Sequence, residues 1–395
     1  MKLPALLARM LGLAVGAIAL TLPPAPAQAQ PDSQIALGQP EPSQAGTTQT
    51  ATRQGSASQS AALDPESELQ AGITLTRQAH FSDAIPHLLA AKGHVTESYA
   101  ADFDLALCYV ATQQNKPAIA LLNEMLAAGN ATAAVENLLA QSYVGDGQNG
   151  PAYDAFEKAA ELTPQSEKLY LYISDACMQR RSYELGLKVL NKGVENLPQS
   201  PRLRYERALF ENNLERYDLA RADFDEAKRL APESEFDYLA DAQENLLEGN
   251  VSEAVRSARA GLARFPDNYI LLQLLGEALM HAGVSPGQPD FDEAVAALEK
   301  SVAQHPEYGR SQTALGKLYL MENHLDDAIA HLEIARRLDP TNTSVYSHLA
   351  TAYRRKGQPE EAQKMLTILA NLNDAEAGKI RAGPPARGGS SGSPE

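Results

Sequence analysis

The sequence predicts an all-α protein, a solenoid of nine stacked helix-turn-helix units, and three observations carry that prediction. Helical apolar periodicity runs from about residue 63 to residue 374 without an alternating strand pattern. The span divides into units that start at Pro65, Tyr99, Ala133, Glu167, Pro201, Glu235 and Tyr269, a step of 34 residues, and then at Gly309 and Thr343 after one insertion. The eighth place of every unit is small, from Gly72, Ala106 and Ala140 through Ser174, Ala208 and Ala242 to Gly276, Gly316 and Ala350. The twentieth place is small as well: Ala84, Ala118, Ala152, Gly186, Ala220, Ala254, Ala294, Ala328 and Ala362.

The elements follow in chain order. Residues 1–29 carry Lys2 and Arg9, an uncharged apolar run from Met10 to Leu22, and the small-x-small site Ala27-Gln28-Ala29. That run is shorter than the ~20 residues of a membrane span and matches a secretory signal peptide, so export to a periplasm or the exterior is expected, with an uncleaved anchor as the alternative. Residues 30–62 are Gln, Ser, Thr, Ala, Gly and Pro with almost no large apolar side chain, which predicts a disordered linker. From 63 to 374, each unit reads as two helices whose small residues allow close approach. Large apolar residues fill the seam beside them, such as Leu139, Tyr143 and Phe156 in the third unit and Leu315, Tyr319 and Leu332 in the eighth. Pro164, Pro198, Pro232, Pro266, Pro306 and Pro340 close six units, because Pro cannot continue a helix. The insertion near 284–291, in a stretch with two Pro and two Gly, predicts a surface loop in the seventh unit. Residues 375–395 read as a flexible Gly/Pro/Ser tail.

This pattern resembles the tetratricopeptide repeat family in its unit length and in the order of its large, small, aromatic and Pro places. No unit carries the Trp usual near the start, the first two units and the last lack the closing Pro, and Glu211 and Asn245 stand where an aromatic is usual. The resemblance implies a right-handed superhelix whose concave groove, lined by the first helix of each unit, holds a peptide or partner helix. The inward-facing residues it implies are Phe103, Leu107, Asn137, Gln141, Leu171, Asp175, Tyr205, Leu209, Asn212, Gln243, Gln273, Glu277, Arg310, Lys317, Arg354 and Arg355. They form a groove of mixed amide and apolar character that turns basic at its C-terminal end. The Lys and Asn clamp by which similar repeats hold the carboxylate end of cytosolic chaperones is absent in register.

No catalytic, cofactor or metal residue is expected. Nucleophile elbows, Gly-rich phosphate loops and His-Glu-x-x-His pairs do not occur. His80 and His87 recur as His324 and His331, seven apart, which is too far for one ion to be clasped as by an i,i+4 pair. Asp223 and Asp225 are read as a solvated face. A net charge of -16 argues against nucleic acid. The expected function is a non-catalytic scaffold or adaptor for a protein partner, or alternatively an accessory, substrate-presenting subunit of an envelope enzyme complex of the cytochrome-maturation or cell-wall type. Cys108 and Cys177, in the first helices of the second and fourth units with a whole unit between them, are expected to stay unpaired in the core. The last helix keeps an internal apolar pattern, so Ile368 and Leu372 mark an edge that a partner or a second copy covers.

Overall fold

The computed structural model describes residues 64–96 and 98–382, so the predicted signal peptide, the linker before residue 64 and the tail after 382 lie outside the described residues. Among the described residues every element is helical. The helices are α1 (Pro65–Arg77), α2 (Phe81–Ala91), α3 (Ser98–Ala111), α4 (Asn115–Ala127), α5 (Ala133–Gly145), α6 (Asn149–Leu162), α7 (Glu167–Gln179), α8 (Tyr183–Asn196) and α9 (Pro201–Asn213). They continue as α10 (Tyr217–Leu230), α11 (Glu235–Leu247), α12 (Val251–Arg264), α13 (Tyr269–His281), α14 (Pro289–Gln304), α15 (Gly309–Met321), α16 (Leu325–Leu338), α17 (Thr343–Arg355) and α18 (Pro359–Ala382). Odd-numbered helices begin at the unit starts read from the sequence, with α3 one residue early.

The turn inside each unit repeats one piece of geometry. Its fifteenth place lies in the left-handed region in all nine units, at Ala79, Gln113, Gly147, Arg181, Glu215, Gly249, Gly283, Asn323 and Gly357. In eight of them the next N–H reaches back to a carbonyl in the last turn of the first helix, as His80 does to Leu75 and His324 to Tyr319, so the helix end is closed by its own backbone. Glycine at the eighth or twentieth place leaves no room for a side chain: a Cβ on Gly72, Gly276 or Gly316 would come within 2.6, 2.5 or 2.7 Å of Leu88, Leu298 or Leu332.

Successive units are pinned by repeated polar contacts as well as by the shared core. Tyr170 and Tyr346 donate to the carbonyls of Pro164 and Pro340, both at 2.8 Å, and the Gln312 amide donates to Pro306 at 2.7 Å. These three donors all occupy the fourth place of a first helix. The recurring histidines belong to the same system. His87 Nδ1 meets Glu68 at 2.5 Å and His331 Nδ1 meets Gln312 at 2.7 Å, each tying a second helix to the fourth place of its own first helix.

Among the described residues the backbones of every consecutive pair of first helices approach closely, whereas among second helices only those of α6 and α8 do. First helices therefore lie on the inner, shorter radius of the solenoid and second helices on the outer one. In the seventh unit the insertion is not wholly loop. Pro289 and Asp290 become the first turn of α14, where Pro lacks only an N–H that has no partner there, and Val284 is buried in the core. At the other end, α18 continues to Ala382, past the Asp374 boundary expected for the tail.

Cys108 and Cys177 are fully buried free thiols. Burial pushes Cys108 up to about 11, only partly offset by its contact with Thr76 at 3.3 Å, and burial pushes Cys177 up to about 12. Neither should react with a small thiol reagent in the native protein, and two should react once it is unfolded. Rapid native labelling of either would mean that its helix is not packed as described.

Candidate partner-binding groove

The first helices place the sequence-derived groove residues at three depths. Leu107, Leu171, Tyr205, Gln243 and Gln273 are buried in the wall, and Phe103, Asn137, Gln141, Leu209, Asn212 and Glu277 are half-buried. Asp175, Arg310, Lys317, Arg354 and Arg355 are exposed. Several already have work within the wall. Gln141 donates to Asn137 at 3.2 Å, Gln179 donates to Asp175 at 2.9 Å, and Arg355 donates to the Leu320 carbonyl at 2.9 Å, closing the end of the neighbouring first helix. Ile368 and Leu372 pack half-buried against Leu332, Tyr346 and Leu349, while Leu366 beside them remains 43% exposed.

In units four to eight Asp175, Tyr205, Glu206, Tyr308 and Arg310 are surrounded by protein. Arg202 and Glu206 of α9 face Asp175 of α7 and act electrostatically on Tyr269 at the start of α13. Tyr205 of α9 feels Tyr308 and Arg310, three units further on. Arg310 donates to Glu277 at 3.1 Å, and Gln273 donates to the same carboxylate oxygen. Tyr308 stands edge-on to Tyr269 at 5.1 Å, and Tyr269 stacks on His305 at 3.7 Å. One rim is bridged by Arg181 and Asp339, 158 residues apart in sequence, at 3.8 Å. Arg202, Glu206, Tyr172, Tyr269 and Tyr308 belong to this chamber although the sequence reading did not choose them. A signal was available in the repeat, since Arg202 holds the same second place of its unit as Arg310.

The chamber carboxyls titrate high because protein surrounds them. Asp175 is accessible to water yet enclosed by the concave wall, and that enclosure, against the pull of Gln179 and Arg202, raises it to about 6. Enclosure likewise raises Glu206 to about 7, opposed by Arg202, and burial raises Asp104 to about 6, opposed by Arg77. Each folded-state value lies above the unfolded one. The folded protein therefore binds more protons than the unfolded chain between about pH 4 and pH 7, and stability falls as pH rises through that window. His331 and His348 act in the opposite sense, because burial lowers both and their contribution is lost as pH falls below ~6.5. With carboxyls outnumbering these histidines, melting should occur at a higher temperature near about pH 5.5 than near about pH 8, and Glu206→Gln should flatten the difference. Higher stability at the alkaline end would contradict the enclosure.

A helical-hairpin solenoid with its first helices on the inside defines a repeat-scaffold class. Models described as tetratricopeptide repeat match residues 187–235 and 287–343 in one case and 319–382 in another, so these segments carry tetratricopeptide repeats. No curated protein matches it significantly in sequence. Similar solved structures include the APC/C hetero-tetramer Cut9-Hcn1, at 18% identity and TM-score 0.47, covering 81% of this chain and 66% of that one. Yeast Tom70 is similar at 15% identity and TM-score 0.37, covering 80% of this chain and 96% of its own. YrrB, described as a TPR protein with an unusual peptide-binding site, is similar at 18% identity and TM-score 0.34, covering 49% and 96%. The fold is that of a protein–protein interaction scaffold.

Proposed function

We propose that the protein is a non-catalytic adaptor in an exported compartment that holds a partner's peptide segment in its concave groove. The observation that supports this most directly is the inner wall itself. First helices line it, and of the groove residues read from the sequence Lys317 and Arg354 are exposed while Leu209 and Asn212 are half-buried. Export rests on the basic, apolar and small-residue order of residues 1–29. A lasting membrane insertion is not part of the proposal, and among the described residues no helix is long and apolar enough to cross a membrane.

Affinity capture from an envelope fraction with the native protein, compared with a Leu209→Glu and Lys317→Glu double variant, tests the reading. A partner held by the native protein and lost by the folded variant is the expected result; equal capture by both would move binding off the groove. If the partner carries catalytic subunits, the protein is an accessory, substrate-presenting member of an envelope enzyme complex. A second copy on the α18 edge is a separate outcome, read from solution mass after Ile368→Glu and Leu372→Glu. Those side chains are half-buried in the last core cluster, so the mass is compared only while the helical signal is retained.

A further inference from the structure

We propose that α18 is a self-association surface, on which two copies of this chain pair their last helices antiparallel about a two-fold axis. The pairing does not depend on the groove. The repeat itself shows what is uncovered. The twenty-fourth place is wholly buried at Leu88, Leu122, Phe156, Leu298 and Leu332, and Leu332 shares its cluster with Val345, Tyr346 and Leu349 of the following unit. In the last unit that place is Leu366, which no further unit covers, and the side chain is 43% exposed.

The uncovered side of α18 is patterned. Leu366, Ala370, Asn373 and Ala377 follow one another at steps of four, three and four residues, and the series continues in sequence to Ile380, which is the spacing of a coiled-coil seam. Leu366, Ala370 and Asn373 are exposed, and Ala377 is half-buried. The two alanines let a second helix approach closely, as the small places do within each unit. Length is available too. α18 has 24 residues, about 36 Å, whereas α17 has 13, about 20 Å, and α17 is the only element among the described residues whose backbone comes near it.

The occupant follows from what the rest of the chain offers. Residues 383–395 are Gly, Pro, Ser, Ala, Arg and Glu, with no large apolar side chain to cover Leu366. The opposite edge of the solenoid is polar. On α1, Ser67 and Thr74 are exposed at the third and tenth places, where Val135 and Leu203, or Phe210 and Leu318, are buried in later units. Docking α18 of one copy on α1 of the next would therefore set a polar edge against Leu366, which disfavours an open chain of copies. The same surface on a second copy is complementary. In an antiparallel pair Leu366 meets Ala377 and Ala370 meets Asn373, large against small, and the helix dipoles oppose. Glu360 and Arg381 hold equivalent places on one flank of the seam, three heptads apart, so antiparallel pairing brings each to the other twice.

Sedimentation velocity on the purified native protein, from about 1 to about 100 μM and at moderate ionic strength to screen the charge of -16 on each copy, tests the pairing. The protein should pass reversibly from monomer to dimer within that range, because two short helix faces bury less than a permanent interface does. Leu366→Glu and, separately, Ala370→Arg should each raise the dissociation constant on the order of tenfold while helicity and melting stay native, since both positions are exposed. Glu360→Arg alone and Arg381→Glu alone should weaken the dimer several-fold, and the two together should restore it. Leu89→Glu, at a side chain 48% exposed on α2, should change nothing. A protein monomeric throughout, a dimer that survives Leu366→Glu and Ala370→Arg, or masses that climb beyond the dimer would each overturn the proposal. Failure of the double exchange to restore pairing would overturn its antiparallel direction.

Discussion

Asp223→Ala should destabilise the protein by about 3 kcal/mol, near the lower end of the cost of breaking a buried ion pair. The carboxylate is 3% exposed on α10 and is gripped by Arg207 through Nε at 2.5 Å and Nη2 at 2.7 Å, while Arg204 donates at 3.0 Å. Its removal leaves two guanidinium groups in the α9–α10 seam with no carboxylate between them. One relief works against this loss. Burial and repulsion from Asp223 push the nearby Glu211 up, and without Asp223 that residue can ionise and draw Arg207 toward itself. A single buried carboxylate cannot replace a three-bond grip on two arginines, so the loss should dominate. Chemical denaturation of the native protein and the variant measures it, and a change below about 1 kcal/mol would show that the pair is solvated. This is also a correction, because the sequence reading placed Asp223 with Asp225 on a soluble face and only Asp225 is exposed.

Gly186→Val should cost about 3 kcal/mol, at the upper end of what overpacking does to a core. A Cβ at that position would stand 2.1 Å from Phe210 Cε1, and the Phe210 ring cannot withdraw, because it is buried and packed edge-on by Tyr183 at 6.2 Å. Replacing a helix-interior glycine with a side-chain residue gains at most ~1 kcal/mol in helix propensity, which the clash outweighs. At Gly150, also helical, a Cβ would meet nothing within 4 Å, so Gly150→Ala should be neutral or slightly stabilising. Calorimetry of both variants separates the effects. Similar melting for the two would mean that the fourth and fifth units are less closely packed than described.

How much of this was legible depends on whether a residue's role is set by its place in the repeat. Small eighth and twentieth places, helix starts and closing prolines could all be read because every unit needs the same close approach. The left-handed fifteenth place went unnoticed. At Ala79, Gln113, Arg181 and Glu215 it is filled by residues that carry no turn signal, and there the backbone bonds of the helix end hold a conformation the side chain does not favour. Asp223 was misread for a similar reason, since its burial depends on arginines on the preceding helix rather than on its neighbours in sequence. Gln273 and Glu277 were chosen by their places in the unit. The chamber they belong to was not legible, because Arg181 meeting Asp339 and Tyr205 facing Tyr308 depend on curvature accumulated over four and three units. Local periodicity fixes the hairpin but not that sum.

The most direct test of the groove as the partner surface is photo-crosslinking from two positions under native conditions. One reporter replaces Lys317, exposed on the concave wall, and the other replaces Tyr217, 62% exposed at the start of α10 on the outer side. The account predicts a discrete partner adduct from position 317, competed away by unlabelled native protein, and none from position 217. A competed adduct from position 217, with position 317 silent, would place the partner on the convex face and contradict the account.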